Sequence, residues 1–134
     1  MKNALFAVAS IAILYIVGGG IALAQIDSIE VSPAKPRVID AITLTASGEW
    51  PTSYSDVNTI ASVSNFTISL DVTITTPQVS LQIISPWSAT ASIGTLPRGT
   101  YTVNVRLFNM FNGSLSQMGQ KSSTFEIGNG KPKR

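Results

Sequence analysis

The side chains that most enzymes use for acid–base and nucleophilic chemistry are scarce in this chain. Its 134 residues include no histidine and no cysteine, so the commonest general base, the commonest metal ligand and the thiol nucleophile are missing. The acidic residues are scattered, without the D-x-D spacing of a calcium loop. We therefore expect no catalytic residue, no cofactor and no metal site. Two carboxylates that converge in space would still suit glycoside hydrolysis. The seven acidic residues are Asp27, Glu30, Asp40, Glu49, Asp56, Asp71 and Glu126.

Two short motifs resemble catalytic or phosphate-binding sequences, and their prolines argue against both. Ser32 and Lys35 have the S-x-x-K spacing of serine acyltransferases, which relies on a helical turn to bring the lysine beside the hydroxyl. A proline follows each of them, which works against that helix. Gly128 to Lys131 resembles part of a phosphate loop, but Pro132 occupies the position of the required Ser or Thr. Neither motif predicts an activity.

Aromatic residues in two long polar stretches are the remaining candidates for a binding site. Trp50 and Tyr54 fall within residues 48–64. Phe108 directly precedes residues 109–120, and Phe111 lies near the beginning of that stretch. Aromatic groups on loops combine a large apolar area with few rotamers, which suits contact with a sugar or a protein. We assign these four as candidate ligand or partner contacts. The alternative is that they cap the ends of the fold from within.

Alternating apolar and polar residues indicate that β-strands position these groups. The period-2 pattern is clearest in residues 66–74 and 100–108, and weaker runs cover 26–31, 41–47, 79–84, 87–93 and 122–127. We expect residues 48–64 and 109–120 to be surface loops, with a turn at Asn112-Gly113. The two clearest strands should form the centre of the core, through Phe66, Ile68, Leu70, Val72 and Ile74 and through Tyr101, Val103, Val105 and Leu107.

The first 24 residues read as a secretory signal peptide. Lys2 gives a positive start, Ala4–Val17 is an apolar run, three glycines follow, and Ala22-Leu23-Ala24 is a small-x-small cleavage site. We expect cleavage, and therefore a secreted or extracellular protein, with the periplasm or the cell surface as further possibilities. A retained anchor is the rival interpretation, since the segment approaches the roughly 20 apolar residues that span a bilayer.

Residues 25–128 should form one domain, followed by a basic disordered tail at 129–134. About 110 residues suffice for a single core, and without cysteine that core must be stabilised by burial alone. The chain has 9 basic and 7 acidic residues, and this near-balance argues against a nucleic-acid partner.

The segment Ile93–Val105, with Leu96-Pro97 and Gly99-Thr100-Tyr101, resembles a signature of secreted bacterial immunoglobulin-like domains and, more loosely, of fibronectin type III modules. There a tyrosine at the beginning of a central strand donates a hydrogen bond to upstream backbone, the tyrosine corner. The proline-rich turn before Ile42–Gly48, and Ser85–Ser88, resemble other parts of such domains. The resemblance implies one all-β, antiparallel immunoglobulin-like sandwich of about seven strands, with Tyr101 and Trp87 in structural roles.

These features predict an exported, non-catalytic binding or structural module. Its expected partner is a protein or glycan at the cell surface, or a second copy of the chain through edge strands, with the membrane as a partner only if the N-terminal segment is retained. One alternative is a subunit of an extracellular filament, with Gln25–Val31 as the exchanged strand. Another is a small secreted hydrolase or inhibitor. Asn65 and Asn112 begin glycosylation sequons.

Overall fold

A computed structural model describes residues 24–129 of the chain, which fold into seven β-strands in two packed sheets. The predicted tail except Asn129, and the predicted signal peptide except Ala24, lie outside the described residues. Within residues 24–129, no helix has the length and apolar character needed to cross a bilayer. The strands are β1 (Gln25–Ser32), β2 (Ile42–Trp50), β3 (Asp56–Ser64), β4 (Thr67–Thr76), β5 (Ser85–Gly94), β6 (Gly99–Phe111) and β7 (Ser114–Ile127).

The strand order confirms an all-β sandwich and departs from a wholly antiparallel one. One sheet has the order β1-β2-β5 and the other β3-β4-β6-β7. Successive strands alternate in direction, so the fourth and sixth point the same way, and β4 and β6 pair in parallel. In a constant-type immunoglobulin domain the fourth strand belongs to the sheet of the first, second and fifth. Here the β3–β4 hairpin joins the other sheet, with β3 at its edge.

The core lies between the sheets and is centred on β4 and β6, as the alternation predicts. Four side chains of β4 and four of β6 are at most 1% exposed, and Ile42, Leu44 and Ala46 of β2 face them at 0%. Burial of one such large side chain contributes about 1.5–3 kcal/mol. Phe66 is the exception to the predicted apolar face. It lies in the β3–β4 turn and is 50% exposed. The eight buried residues are Ile68, Leu70, Val72, Ile74, Tyr101, Val103, Val105 and Leu107.

Seven strands are present in residues 24–129, as predicted, but they are not the same seven. One predicted strand is a connection, and one observed strand lies where a loop was expected. Residues 79–84 were expected to be a strand and instead form an exposed connection between β4 and β5. The second half of the expected loop 48–64 is β3. The expected loop 109–120 is largely paired, because β6 and β7 extend to a two-residue turn at Asn112-Gly113. Both turn residues have positive φ, 52° and 80°, as a type I′ hairpin turn requires.

The strands place all connections at two ends of the sandwich. We call residues 32–41, 64–67, 94–100 and 125–129 the closed end. There the Tyr101 hydroxyl donates to the Pro97 carbonyl over 2.8 Å, the predicted tyrosine corner. The Tyr101 ring packs against Phe66 at 5.1 Å and Phe125 at 5.7 Å between centroids. Phe66 in turn covers Gly99, where an added Cβ would lie 2.5 Å from its ring. Packed aromatic rings therefore cover the core at this end.

Candidate functional site

The opposite end gathers all four aromatic residues proposed as ligand contacts. We call residues 24–27, 49–56, 75–86 and 108–117 the open end. It holds the β2–β3 connection, the β4–β5 connection and the β6–β7 turn, together with the beginning of β1. Loops carried by a rigid scaffold are the usual place for binding residues. The four aromatic residues share this end, but they differ in accessibility.

Trp50 lies in the core of the open end rather than on its surface. It is the last residue of β2 and is 1% exposed. Its indole Nε1 donates to Thr76 Oγ1 over 3.1 Å, and the Thr76 hydroxyl donates to Asn109 Oδ1 over 2.9 Å. This chain of hydrogen bonds ties β2 to β4 and β6. In this conformation the ring is not accessible to a ligand, which corresponds to the capping role that the sequence left open.

Tyr54 borders a shallow depression of about 630 Å³ on the three-stranded sheet side. Its hydroxyl donates to the Pro86 carbonyl over 2.8 Å, and its ring is half-buried. Trp87, which also lines the depression, is 2% exposed and donates to the Gln25 carbonyl. It belongs to the core, as predicted. Gly48 completes the floor: a Cβ there would lie 1.9 Å from the Gln25 carbonyl oxygen.

Two carboxylates meet at the rim of this depression. The side-chain amide of Gln25 donates to Asp27 Oδ1 over 3.0 Å and to Glu49 Oε1 over 3.4 Å. All three side chains are exposed. A glycosidase pair flanks the scissile bond of its substrate, whereas here one amide of the same chain bridges both groups. No group of three or more acidic side chains that could hold a metal ion occurs within the described residues.

Phe108 and Phe111 lie on the other side of the open end, and neither lines the Tyr54 depression. Phe108 is half-buried on the outer face of the four-stranded sheet, with the Arg106 guanidinium 5.2 Å from its ring centroid. Phe111 ends β6 next to the hairpin turn and is 42% exposed. Of the four candidates, Phe111 presents the largest accessible aromatic surface.

The connection between β4 and β5 contributes most of the apolar surface at this end, and the sequence interpretation missed it. The exposed fractions are 91% for Val79, 65% for Leu81, 52% for Ile83 and 58% for Ile84. Leu81 is tied to the β2–β3 connection through hydrogen bonds with the backbone and hydroxyl of Ser53, and the Ile83 carbonyl accepts from the Ser85 hydroxyl over 3.4 Å. The signal for this surface is a strand-like apolar run enclosed between two prolines, at 77 and 86.

Exposed large apolar side chains concentrate at the open end: six of the ten in the described part of the chain lie there. The formal charges at this end are all negative, at Asp27, Glu49 and Asp56, and no Lys or Arg falls within its residue ranges. Clustered exposed apolar groups mark interaction surfaces more often than isolated ones do. The six are Val79, Leu81, Ile83, Ile84, Phe111 and Leu115.

The segment proposed as an exchanged strand is part of the domain's own sheet. Gln25–Val31 forms most of β1, which pairs antiparallel with β2 from Gln25↔Glu49 to Ser32↔Thr43. Exchange with a neighbour would require β1 to leave this position. Comparison of the chain with protein-family models, curated proteins and solved structures finds no match.

Proposed function

We propose that the chain is an exported, non-catalytic binding or structural module that contacts a protein or glycan at the cell surface through its open end. The observation that carries the proposal is the concentration of exposed apolar side chains there. Water-exposed Val, Leu, Ile and Phe side chains lose unfavourable hydration when a partner covers them. The surrounding carboxylates and hydroxyl groups provide the polar rim that is typical of such surfaces.

Affinity capture with matched variants tests this proposal. The full chain is immobilised as wild type, as a Leu81→Ser/Ile83→Ser double variant and as Ile39→Ser. Ile39 is 61% exposed and lies at the closed end, so its replacement controls for loss of one exposed apolar group. We expect wild type and Ile39→Ser to retain the same component of a cell-surface fraction, and the double variant to lose it.

Pretreatment of the cell-surface fraction shows whether the captured component is a protein or a glycan. Protease treatment before capture abolishes binding of a protein, and periodate oxidation abolishes binding of a glycan. Equal capture by wild type and the double variant, with unchanged circular dichroism spectra, would exclude the open end as the binding surface.

A further inference from the structure

The edge strand β3 has none of the features that usually prevent edge-to-edge pairing. An edge strand exposes unpaired backbone N–H and C=O groups, and natural proteins protect it with bulges, prolines, lysines or short length. β3 has nine residues, contains no Pro, Gly or Lys, and pairs with β4 in unbroken register. Its only charged residue is Asp56, at its first position. None of the described backbone hydrogen bonds reaches its outer edge.

The other three edges each carry such features. The β1 register shifts between Ile26 and Ser28 around the charged Asp27. β5 has a proline at its second position, and its pairing also shifts near its end. β7 contains Gly119 and the exposed Lys121, and its pairing with β6 shifts between Leu107 and Phe108. β3 is therefore the one edge without these features among the strands that the structure describes, although some of its Cα atoms lie within 8 Å of Cα atoms in β5 of the other sheet.

Exposed apolar side chains accompany this open edge. Ile60 is 63% exposed on the outer face of the four-stranded sheet, where it pairs with Asp71. Val63 is 42% exposed on the inner face. Further strands added at β3 would cover both side chains.

The sequence of β3 is complementary to itself in an antiparallel arrangement. If all nine residues pair with a second copy, a two-fold axis passes at Ile60, so that Ile60 faces the same residue of the other copy. Val57 then faces the second Val63, and Asp56 faces the second Ser64. No like charges are brought together, and the apolar residues meet one another across the strands. A two-fold contact of this kind is closed and stops at two copies.

We propose that two copies of the chain dimerise reversibly through antiparallel pairing of their β3 strands about Ile60, giving one continuous eight-stranded sheet. The surface is separate from the open end, so the dimer does not depend on the function proposed above. Because the contact uses one strand from each copy, it is a small interface, and the dimer is expected to dissociate on dilution.

Disulfide trapping tests the register directly, since the chain contains no cysteine of its own. The full chain is prepared in non-ionic detergent, so that its apolar N-terminal segment does not drive association, as Ile60→Cys, Val57→Cys and Ile39→Cys. Residues directly opposite in an antiparallel pair have Cα atoms about 4.5–5.5 Å apart, within reach of a disulfide. We expect mild oxidation to give a covalent dimer only for Ile60→Cys.

A second variant measures the dimer without a crosslink. Ile60→Lys places two ammonium groups opposite each other at the axis, and we expect the mass measured by light scattering at high concentration to fall from dimer to monomer. Ile39→Lys, at a site of similar exposure, should leave the dimer intact. A monomeric wild type at every concentration, or equal crosslinking of Ile60→Cys and Ile39→Cys, would overturn the proposal. Preferential crosslinking of Val57→Cys would overturn its register.

Discussion

Each end of the sandwich holds a tyrosine whose hydroxyl donates to a proline carbonyl, and both hydrogen bonds measure 2.8 Å. Tyr101 donates to Pro97 at the closed end, and Tyr54 donates to Pro86 at the open end. Tyr101 is 1% exposed, whereas the Tyr54 bond lies at the surface. The same local contact therefore serves two purposes. At the closed end the hydrogen bond is donated by a tyrosine of the buried core. At the open end it holds the β2–β3 connection against β5, beside a surface that remains accessible.

The neighbours of the two tyrosines explain this difference. Tyr101 lies between two aromatic rings, and Arg37 and Asp40 form an ion pair at 3.3 Å elsewhere at the same end. Tyr54 borders a shallow depression and has no aromatic partner in the described contacts. The exposed apolar residues of the β4–β5 connection share its end of the molecule. Substitution of an exposed residue at the open end is therefore expected to leave the fold intact, so it can test the proposed binding surface.

The largest expected effect tests whether Trp50 belongs to the buried core beneath the open end. Trp50→Ala should lower the free energy of unfolding by about 3–5 kcal/mol, as removal of a large buried aromatic side chain does. It also removes the indole donor to Thr76. Phe111→Ala, at the same end but 42% exposed, is the matched control and should cost far less. Urea unfolding followed by circular dichroism measures both. Equal losses for the two variants would contradict a closed core beneath an open surface.

A smaller effect isolates the tyrosine corner. Tyr101→Phe keeps the buried ring and its packing but removes the hydroxyl donor to the Pro97 carbonyl. We expect a loss of about 1 kcal/mol in the free energy of unfolding, the usual net contribution of one such hydrogen bond. Chemical denaturation at neutral pH gives the value. An unchanged midpoint and slope would show that this bond adds nothing to the packing of the ring.

The same hydroxyl predicts a pH dependence that belongs to the closed end. Burial raises the pKa of the Tyr101 phenol above its ordinary value of 10.0, so the protonated phenol favours the folded state. This contribution is fully present below the unfolded pKa and is lost as the pH rises through the folded pKa. Wild type should therefore lose more stability than Tyr101→Phe between about pH 9 and about pH 11. Parallel losses in denaturation series at these pH values would remove Tyr101 as the cause.

How much of this fold the sequence predicts depends on whether a strand faces the core. The alternation in β4 and β6 is visible because every second residue is buried, and both strands and their apolar faces are confirmed except at Phe66. β3 is an edge strand whose inner residues include Thr59 and Ala61, so its pattern is weak and it was expected to be loop. Residues 79–84 show the opposite case, because their apolar character reflects exposed surface rather than a place in a sheet.

The sequence indicated the four aromatic residues as candidates, but not the elements that carry them. Phe108 was expected at the end of a strand and the other three in loops. All four lie at the open end, but only Tyr54 lies in a connection, whereas Trp50 belongs to β2 and Phe108 and Phe111 belong to β6. Their burial differs because it depends on which strand ends lie opposite. Trp50 donates to Thr76, which in turn donates to Asn109, and both partners are distant from Trp50 in sequence. Phe111 lies at the hairpin tip and is 42% exposed. The parallel pairing of β4 with β6 creates this arrangement, and no local pattern in the sequence indicates it.

The smallest expected effect completes the comparison of the two tyrosines. Tyr54→Phe removes the hydroxyl that donates to the Pro86 carbonyl, a hydrogen bond of the same length as that of Tyr101. At the surface, water can donate to the Pro86 carbonyl instead. We therefore expect a change of about 0.5 kcal/mol or less in the free energy of unfolding. Denaturation of Tyr54→Phe beside Tyr101→Phe, with wild type as reference, measures the difference. If Tyr54→Phe destabilised the protein as much as Tyr101→Phe, the open end would depend on its tyrosine as the closed end does, and its connections would be part of the stable core rather than a free binding surface.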